Sequence, residues 1–359
     1  MDEYGLTGPN IYLSNLIRYM SKRSDIDLYL IHHKHINKCK CVSNESISNI
    51  IIPKMPIIGE NSLAKIDLDI IHFNYIPWEY RSFFHILKPK KIATSHISIG
   101  YSGKNYSEKH NFVRRIVEPL NAKFLDKIIA VSSDLKTRLA KYLRISTSKI
   151  EVVYEGVDHE IFKPVENKKL LERTSTKYEI KMPFIIHTSN FSMRKNPRIL
   201  FETFRSLANE GYQGELLIVG SGWRNKVSEN LIADSPINKK IKFLGYIPTQ
   251  DLVHLYNLAE IAFFPSLHEN FCFPIVEAMA CGTPVVSSKV YSIPEITSDA
   301  AVLCNPYSSR SFTVAIQSIL NNRQQRNLMT RRGLENSKRF SWQKCIQNTI
   351  KVYEKVLNN

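Results

Sequence analysis

The sequence lacks any apolar run that approaches the roughly 18 residues a membrane span requires. It also lacks a secretory leader at its start, because the first ten residues, MDEYGLTGPN, are acidic and polar. These two absences argue against an integral membrane protein and a secreted one. We therefore expect a cytoplasmic protein.

Cysteines are few and follow no disulfide framework. A cytosolic chain of 359 residues needs no such framework to build its cores. A cluster of histidines and cysteines between residues 32 and 41 resembles a metal site in composition, but its spacing fits no zinc pattern. We expect no bound metal. The cysteines are Cys39, Cys41, Cys272, Cys281, Cys304 and Cys345.

Acidic residues are in short supply relative to basic ones. The chain has 33 Asp and Glu against 49 Lys and Arg, for a net charge of +16. A basic surface of this kind serves a diphosphate substrate, an anionic membrane or nucleic acid. No RNP, zinc-finger or helix-turn-helix pattern is present, so we expect no nucleic-acid partner. Two interpretations of the net charge remain. The surface is generally basic without a specific partner, or it binds an anionic membrane, on the inner face of that membrane.

The chain instead has short β-rich runs alternating with helical periodicity, which predicts an α/β fold with parallel sheets. The predicted strands are 27–32, 50–52, 70–73, 92–95, 127–131, 150–153, 184–188, 215–219, 241–243, 261–264, 284–287 and 301–303. The predicted helices are 11–20, 111–125, 133–142, 197–210, 250–258, 275–280, 309–321 and 341–357. Between them, the polar segment 164–181 is the predicted linker of two domains.

The segment FFPSLHENFCFPIVEAMACGTPVV, residues 263–286, carries the densest chemical information. Glu269 follows a predicted strand, and Glu277 lies in the first turns of a predicted helix. A helix start favours an anion through its backbone N–H groups and its dipole. Two carboxylates around such a site suit a sugar nucleotide, with hydroxyls bound by the carboxylates and the diphosphate bound between them.

Several motifs in sequence order resemble glycosyltransferase family 4, a retaining class within the group 1 glycosyl transferases. The segments that carry the resemblance are 127–164, 189–204, 216–288 and 340–357. The block from 241 to 288 is the most specific of them. The resemblance implies a GT-B fold, in which two Rossmann-like domains with parallel sheets face each other across a cleft.

The resemblance also implies the division of labour between the domains. Residues 1–164 would form the acceptor-binding domain and 165–340 the nucleotide-sugar-binding domain. Residues 341–359 would form a C-terminal helix that returns to the first domain. No cofactor is implied, and the transfer would be independent of metal.

Roles for individual residues follow from the resemblance. Glu269 would contact the donor sugar, Glu277 the ribose hydroxyls, and Lys195 or Arg194 the departing diphosphate, whose negative charge a preorganised cation stabilises. His96, at the end of a predicted strand, would lie near the donor sugar. Further donor-binding residues would be Gly5, Gly8, Asn190, Gly220, Gly222, Asn270, Phe271, Cys272 and Phe273.

Some positions depart from the family pattern. Asn270 and Cys272 stand where the family has glycines, so their side chains are expected to project where the sugar or phosphate comes close. The donor would still bind if φ at these positions stays negative. Glu155 replaces the usual Asn before Gly156. The chain begins only four residues before Gly5, so we expect the first strand to be missing and the first domain to be poorly stable.

The sequence thus predicts a retaining glycosyltransferase with a UDP- or GDP-sugar donor and a glycan, lipid-linked or protein acceptor. One alternative is a sugar-nucleotide epimerase, for which Glu79 and Glu118 are candidate bases. The other is a degenerate GT-B protein that binds nucleotide sugar without catalysis.

Overall fold

The computed structural model describes residues 8–32, 48–51, 67–76, 88–97, 99, 108–226 and 236–358. Its strands are β1 (Tyr29–His32), β2 (Ser48–Ile51), β3 (Ile70–Phe73), β4 (Lys90–Ser95), β5 (Lys127–Ala130), β6 (Ile150–Val152), β7 (Phe184–Thr188), β8 (Glu215–Val219), β9 (Ile241–Gly245), β10 (Ile261–Phe264), β11 (Val285–Ser288) and β12 (Ala301–Cys304). The helices are α1 (Gly8–Met20), α2 (Glu108–Ala122), α3 (Ser133–Leu143), α4 (Lys168–Lys177), α5 (Pro197–Asn209), α6 (Trp223–Lys226), α7 (Thr249–Leu258), α8 (Phe273–Ala280), α9 (Ile293–Thr297), α10 (Ser309–Leu320), α11 (Arg323–Ser337) and α12 (Trp342–Leu357).

The chain forms two compact units, which confirms the predicted α/β class. The first unit contains residues 1–156 and 342–359, and the second contains 157–341. Every strand pair in both units is parallel, as strand–helix–strand connections require. Among the described residues, no helix is both long and apolar enough to cross a bilayer.

The first unit is built on strands β3-β4-β5-β6 in that order, with β1 and β2 paired separately. The central strands β4 and β5 are buried after their first residue, as expected for a sheet covered on both faces. Helix α12 belongs to this unit and packs against α1. Residues 1–7, which include Gly5, lie outside the described residues. The prediction of a missing first strand concerns this segment.

The second unit has the strand order β12-β11-β10-β7-β8-β9. Its core includes Phe201, Phe204, Trp223 and Phe312, all fully buried. The order reverses between β7 and β10, which are neighbours in the sheet although β8 and β9 intervene in sequence. Loops after β7 and β10 therefore leave the same edge side by side, the usual place for a ligand in an open parallel sheet.

The segment predicted as a linker contains a helix, α4. The sequence did not predict this helix, because polar contacts hold it in place and it has no apolar stripe. Asn167 caps its start through the amide of Lys169, and Thr174 hydrogen-bonds His254 of α7 at 2.7 Å. The segment is thus a packed part of the second unit.

Candidate donor site

The loop after β7 carries two cations that meet Glu269. Arg194 and Lys195 lie in a short 3-10 turn, Met193–Lys195, whose start is capped by Ser192. Lys195 Nζ donates to Glu269 Oε1 at 2.6 Å, and Arg194 Nη1 donates to Glu269 Oε2 at 2.9 Å. The loops after β7 and β10 therefore form one cluster of charges.

Glu269 is ionised in this cluster. Its side chain is only 5% exposed, and burial alone would raise its pKa. The Arg194 and Lys195 charges outweigh the burial and hold the pKa of Glu269 at about 2. The carboxylate is thus an available hydrogen-bond acceptor at every physiological pH, although a ligand must share it with the two cations.

Asn196 fixes this arrangement, and the sequence analysis did not single it out. It adopts a left-handed conformation, with φ 57°, at the start of α5. Its side-chain amide donates to the carbonyls of Pro265 and Pro306 at 3.0 and 2.8 Å, which ties the cationic loop to the exit of β10. The signal was present as an Asn directly before the Pro that starts a helix.

Ser292 supports Glu269 from the other side. Its hydroxyl donates to the backbone carbonyl of Glu269 at 3.1 Å and is fully buried. Arg194 also donates to the carbonyl of His268 at 2.9 Å. The backbone around Glu269 is therefore held from both α9 and the cationic loop, which preorganises the carboxylate.

Glu277 lies in α8 beside Tyr256. The Tyr256 hydroxyl is 3.5 Å from Glu277 Oε2 and 2.6 Å from Thr188 Oγ1, at the end of β7. Burial raises the pKa of Glu277 to about 7, and the Tyr256 hydrogen bond offsets only part of that shift. Glu277 therefore exchanges a proton near neutral pH, whereas Glu269 does not.

The start of α8 offers fewer amides to an anion than its sequence position suggests. Pro274 has no N–H group, and the Ile275 amide donates to the Cys272 carbonyl at 3.1 Å. Phe271 and Phe273 bury their rings against each other, with centroids 5.3 Å apart. Arg194 and Lys195, rather than the helix start, therefore supply most of the positive charge at this edge.

Cys272 adopts a conformation that favours glycine. Its φ is 72°, so the negative φ under which the donor was expected to fit is not adopted at this position. Its side chain is only 7% exposed, and burial raises the pKa of the thiol to about 12. The thiol is therefore neutral and buried. The backbone at Cys272 therefore adopts a conformation typical of glycine, although the residue carries a β-carbon.

The loop after β8 closes against the loop after β7. Asn190 Oδ1 accepts from the amide and the hydroxyl of Ser221, both at 3.0 Å. A β-carbon at Gly220 would collide with the backbone carbonyl of Ser189. Gly222, with φ 82°, continues the same turn. These residues hold the loops after β7 and β8 close together at the edge where the donor is expected.

In the first unit, His96 follows β4 and contacts a buried carboxyl group. Its Nδ1 is 3.4 Å from Glu155 Oε1, and its ring packs edge-on against Tyr12 at 5.0 Å. Burial lowers the pKa of His96 to about 4 and raises that of Glu155 well above its usual range. Gly8 is the first residue of α1. A neutral His96 is thus oriented by residues that the sequence analysis did not assign to the site.

The candidate epimerase bases gain no support. Glu118 lies on α2, where it accepts from Arg114 at 2.7 Å and from the Tyr142 hydroxyl at 2.8 Å. Glu79 lies outside the described residues. Within the described ranges, no group of three His, Cys, Asp or Glu side chains is arranged to hold a metal ion.

Two parallel-sheet α/β units, with a charged cluster at the carboxyl edge of the second, define a GT-B-class protein. The "Glycosyl transferases group 1" family model matches residues 170–336, and the "Glycosyltransferase Family 4" model matches 52–161. The chain belongs to the group 1 glycosyltransferases, of the family 4 type.

Relatives and solved structures agree with this assignment. The O-antigen chain mannosyltransferase B of Escherichia coli is 35% identical over 173 residues, which are 48% of this chain and 45% of that protein. An uncharacterised glycosyltransferase of Methanocaldococcus jannaschii is 24% identical over 97% of this chain and 95% of its own. The matched region spans less than half the length of the mannosyltransferase.

Among solved structures, sucrose-phosphate synthase from Thermosynechococcus elongatus superposes with a TM-score of 0.82 at 20% identity, covering 99% of this chain and 95% of its own. Anabaena HepE, solved in complex with UDP, has a TM-score of 0.80 at 18% identity, covering 97% and 96%. At these identities the likeness establishes the fold.

Proposed function

We propose that the chain transfers a hexose from a nucleoside-diphosphate sugar to an acceptor hydroxyl, with retention of anomeric configuration. The observation that carries the proposal is the cluster of Glu269, Arg194 and Lys195 at the carboxyl edge of the second sheet. It combines a carboxylate for sugar hydroxyls with two cations for a diphosphate leaving group.

The cations are suited to the bond-breaking step of glycosyl transfer. When the bond between the anomeric carbon and the β-phosphate oxygen breaks, negative charge builds on the diphosphate, and Arg194 and Lys195 stabilise it. Glu269 accepts hydrogen bonds from the sugar and supports positive charge at the anomeric carbon. Glu277 accepts from the ribose hydroxyls.

Relatives narrow the donor proposal. Those similar to this chain include proteins named O-antigen chain mannosyltransferase B and serotype-specific mannosyltransferase, whereas the similar HepE structures contain UDP and UDP-glucose. We place GDP-mannose first among donors and UDP-glucose second. The acceptor is a glycan, a lipid-linked glycan or a protein, and the proposed location is cytoplasmic and peripheral on an anionic membrane.

A donor screen tests this function. GDP-, UDP-, ADP- and dTDP-sugars are added singly, and the melting temperature of the protein is measured. One of them should raise the melting temperature and be consumed when an acceptor mixture is supplied, with equal rates in EDTA. The anomeric proton signals of donor and product should show the same configuration. Inversion would refute the retaining mechanism, and binding of a donor without any turnover would favour the degenerate alternative.

A further inference from the structure

Three large apolar side chains are exposed in a line along α2 and the turn that follows it. Ile116, Leu120 and Phe124 are 49%, 51% and 49% exposed. Their spacing of four residues places them on one face and predicts a stripe about 12 Å long. The opposite face, including Val117 and Ala122, is buried against the unit. The stripe is thus an outward apolar face on a helix already packed on its other side.

Basic residues border this stripe. Arg115 and Lys123 are exposed next to it. Lys149 reaches the end of the helix, where its Nζ donates to the Lys123 carbonyl at 2.7 Å. On the same helix, Glu118 is buried and paired with Arg114, so it does not offset the outward charge. The face is therefore apolar along the stripe and cationic on one side of it and at its C-terminal end.

The fold extends the cationic border to the start of β4. The amide of Asp126 donates to the Lys91 carbonyl at 2.7 Å, and the Lys91 amide donates to Asp126 Oδ2 at 2.7 Å. This pairing brings the start of β4 to Asp126, two residues after Phe124, and the exposed Lys88 lies two residues before β4. Two segments separated by some thirty residues in sequence are therefore neighbours in the fold.

We propose that this surface, Ile116, Leu120 and Phe124 with their basic neighbours, docks the protein on an anionic lipid bilayer. An apolar stripe with a cationic border is the pattern by which a helix lies in the interface plane, with apolar side chains among the acyl chains and cations at the headgroups. A second copy of the chain is a poorer fit, because each copy carries a net charge of +16 and a cationic border of its own.

The inference deepens the proposed function, since a docked protein meets a lipid-linked acceptor at the bilayer. The surface is nevertheless separate from the donor cluster. Vesicle binding is measured without any sugar nucleotide, and donor binding is measured without vesicles. A failure of docking therefore leaves the donor proposal standing, and a failure of donor binding leaves docking standing.

Co-sedimentation with vesicles tests the inference. We compare vesicles of phosphatidylcholine alone with vesicles containing about one third phosphatidylglycerol. The protein should pellet with the anionic vesicles only, and 0.5 M salt, for which the screening length is about 4 Å, should weaken this binding. Replacement of Ile116, Leu120 and Phe124 by Ser should lower the partition coefficient at least about ten-fold.

A matched triple variant is the control. Tyr307, Val314 and Leu328 are also exposed apolar residues, at 73%, 58% and 38%, but they lie in the second unit. Their replacement by Ser should leave vesicle binding unchanged. If the stripe variant does not fold, the double variant Arg115→Glu/Lys123→Glu should lose binding to anionic vesicles in its place.

Three results overturn the inference: no pelleting of the unmodified protein with anionic vesicles, equal pelleting of stripe and control variants, or a dimer in light scattering that only the stripe variant dissociates. The last result would show that a second copy covers the stripe.

Discussion

Glu269 and Glu277 are both carboxyl groups at one edge of one sheet, yet their environments give them opposite protonation behaviour. Two cations hold the pKa of Glu269 at about 2, whereas burial raises that of Glu277 to about 7. If Glu277 accepts hydrogen bonds from ribose hydroxyls, the ligand binds best to its ionised form. Donor binding then releases a proton near neutral pH.

We therefore expect donor affinity to rise about ten-fold from pH 6 to pH 8, as the ionised fraction of Glu277 rises. Calorimetric titration with the sugar nucleotide measures this, because its diphosphate does not titrate in this range. Glu277→Gln should bind more weakly at pH 8 and should show a flat profile. A profile that keeps its slope in Glu277→Gln would assign the titration to another group.

Cys272 holds a left-handed backbone conformation in which a β-carbon costs about 1 kcal/mol. Cys272→Gly removes this strain, whereas Cys272→Ala keeps it, and both remove the sulfur. We expect the glycine variant to be more stable than the alanine variant by about 1 kcal/mol in urea unfolding. The opposite order, which is usual within helices, would contradict the assigned backbone conformation.

At the scale of elements, the donor edge depends on the close approach of the loops after β7 and β8. Gly220 has φ 126°, and a side chain there would meet the Ser189 carbonyl. Gly211 also has a positive φ, 99°, but open space around it. A comparison of alanine substitutions at these two glycines therefore distinguishes the cost of backbone strain from the cost of a steric collision.

We expect Gly220→Ala to lower the free energy of unfolding by more than Gly211→Ala, which bears only the strain of about 1 kcal/mol. Gly220→Ala should also weaken donor binding, because it displaces Asn190 and the cationic loop, and Gly211→Ala should not. Urea unfolding and calorimetry provide the two measurements. Equal effects of the two substitutions would mean that the loops do not need their close approach.

The elements themselves were largely predictable. Buried parallel strands such as β7 and β10 are continuous apolar runs, so their positions follow from hydrophobicity and flanking turns. Helix α4 was missed because its stabilising contacts are polar. The ion pairs of Glu269 with Arg194 and Lys195 could not be predicted either. They form because β7 lies beside β10, and this neighbourhood is set by the strand order of the sheet rather than by the local sequence.

At the scale of the whole molecule, the chain leaves the first unit at residue 156 and returns to it at 342. Helix α12 buries Trp342, Cys345, Ile346 and Val352. Tyr353 in the same helix contacts His72 Nδ1 at 2.6 Å. The last segment of the sequence is therefore part of the core of the first unit.

A chain ending at Ser341 should lose protection of α1 in hydrogen exchange, because α1 packs on α12. Strands β7 and β10 of the second unit should keep theirs. If α1 stays protected in the shortened chain, α12 is dispensable to the first unit.

The central claim is that Lys195, together with Arg194 and Glu269, binds and activates the donor diphosphate. The most direct measurement is the transfer rate of Lys195→Met with the donor that the screen identifies, beside Lys338→Met as an exposed lysine in a surface ion pair. We predict a loss of about 100-fold or more in kcat/KM for Lys195→Met and an unchanged rate for Lys338→Met. Transfer by Lys195→Met at the rate of the unmodified protein would contradict the account.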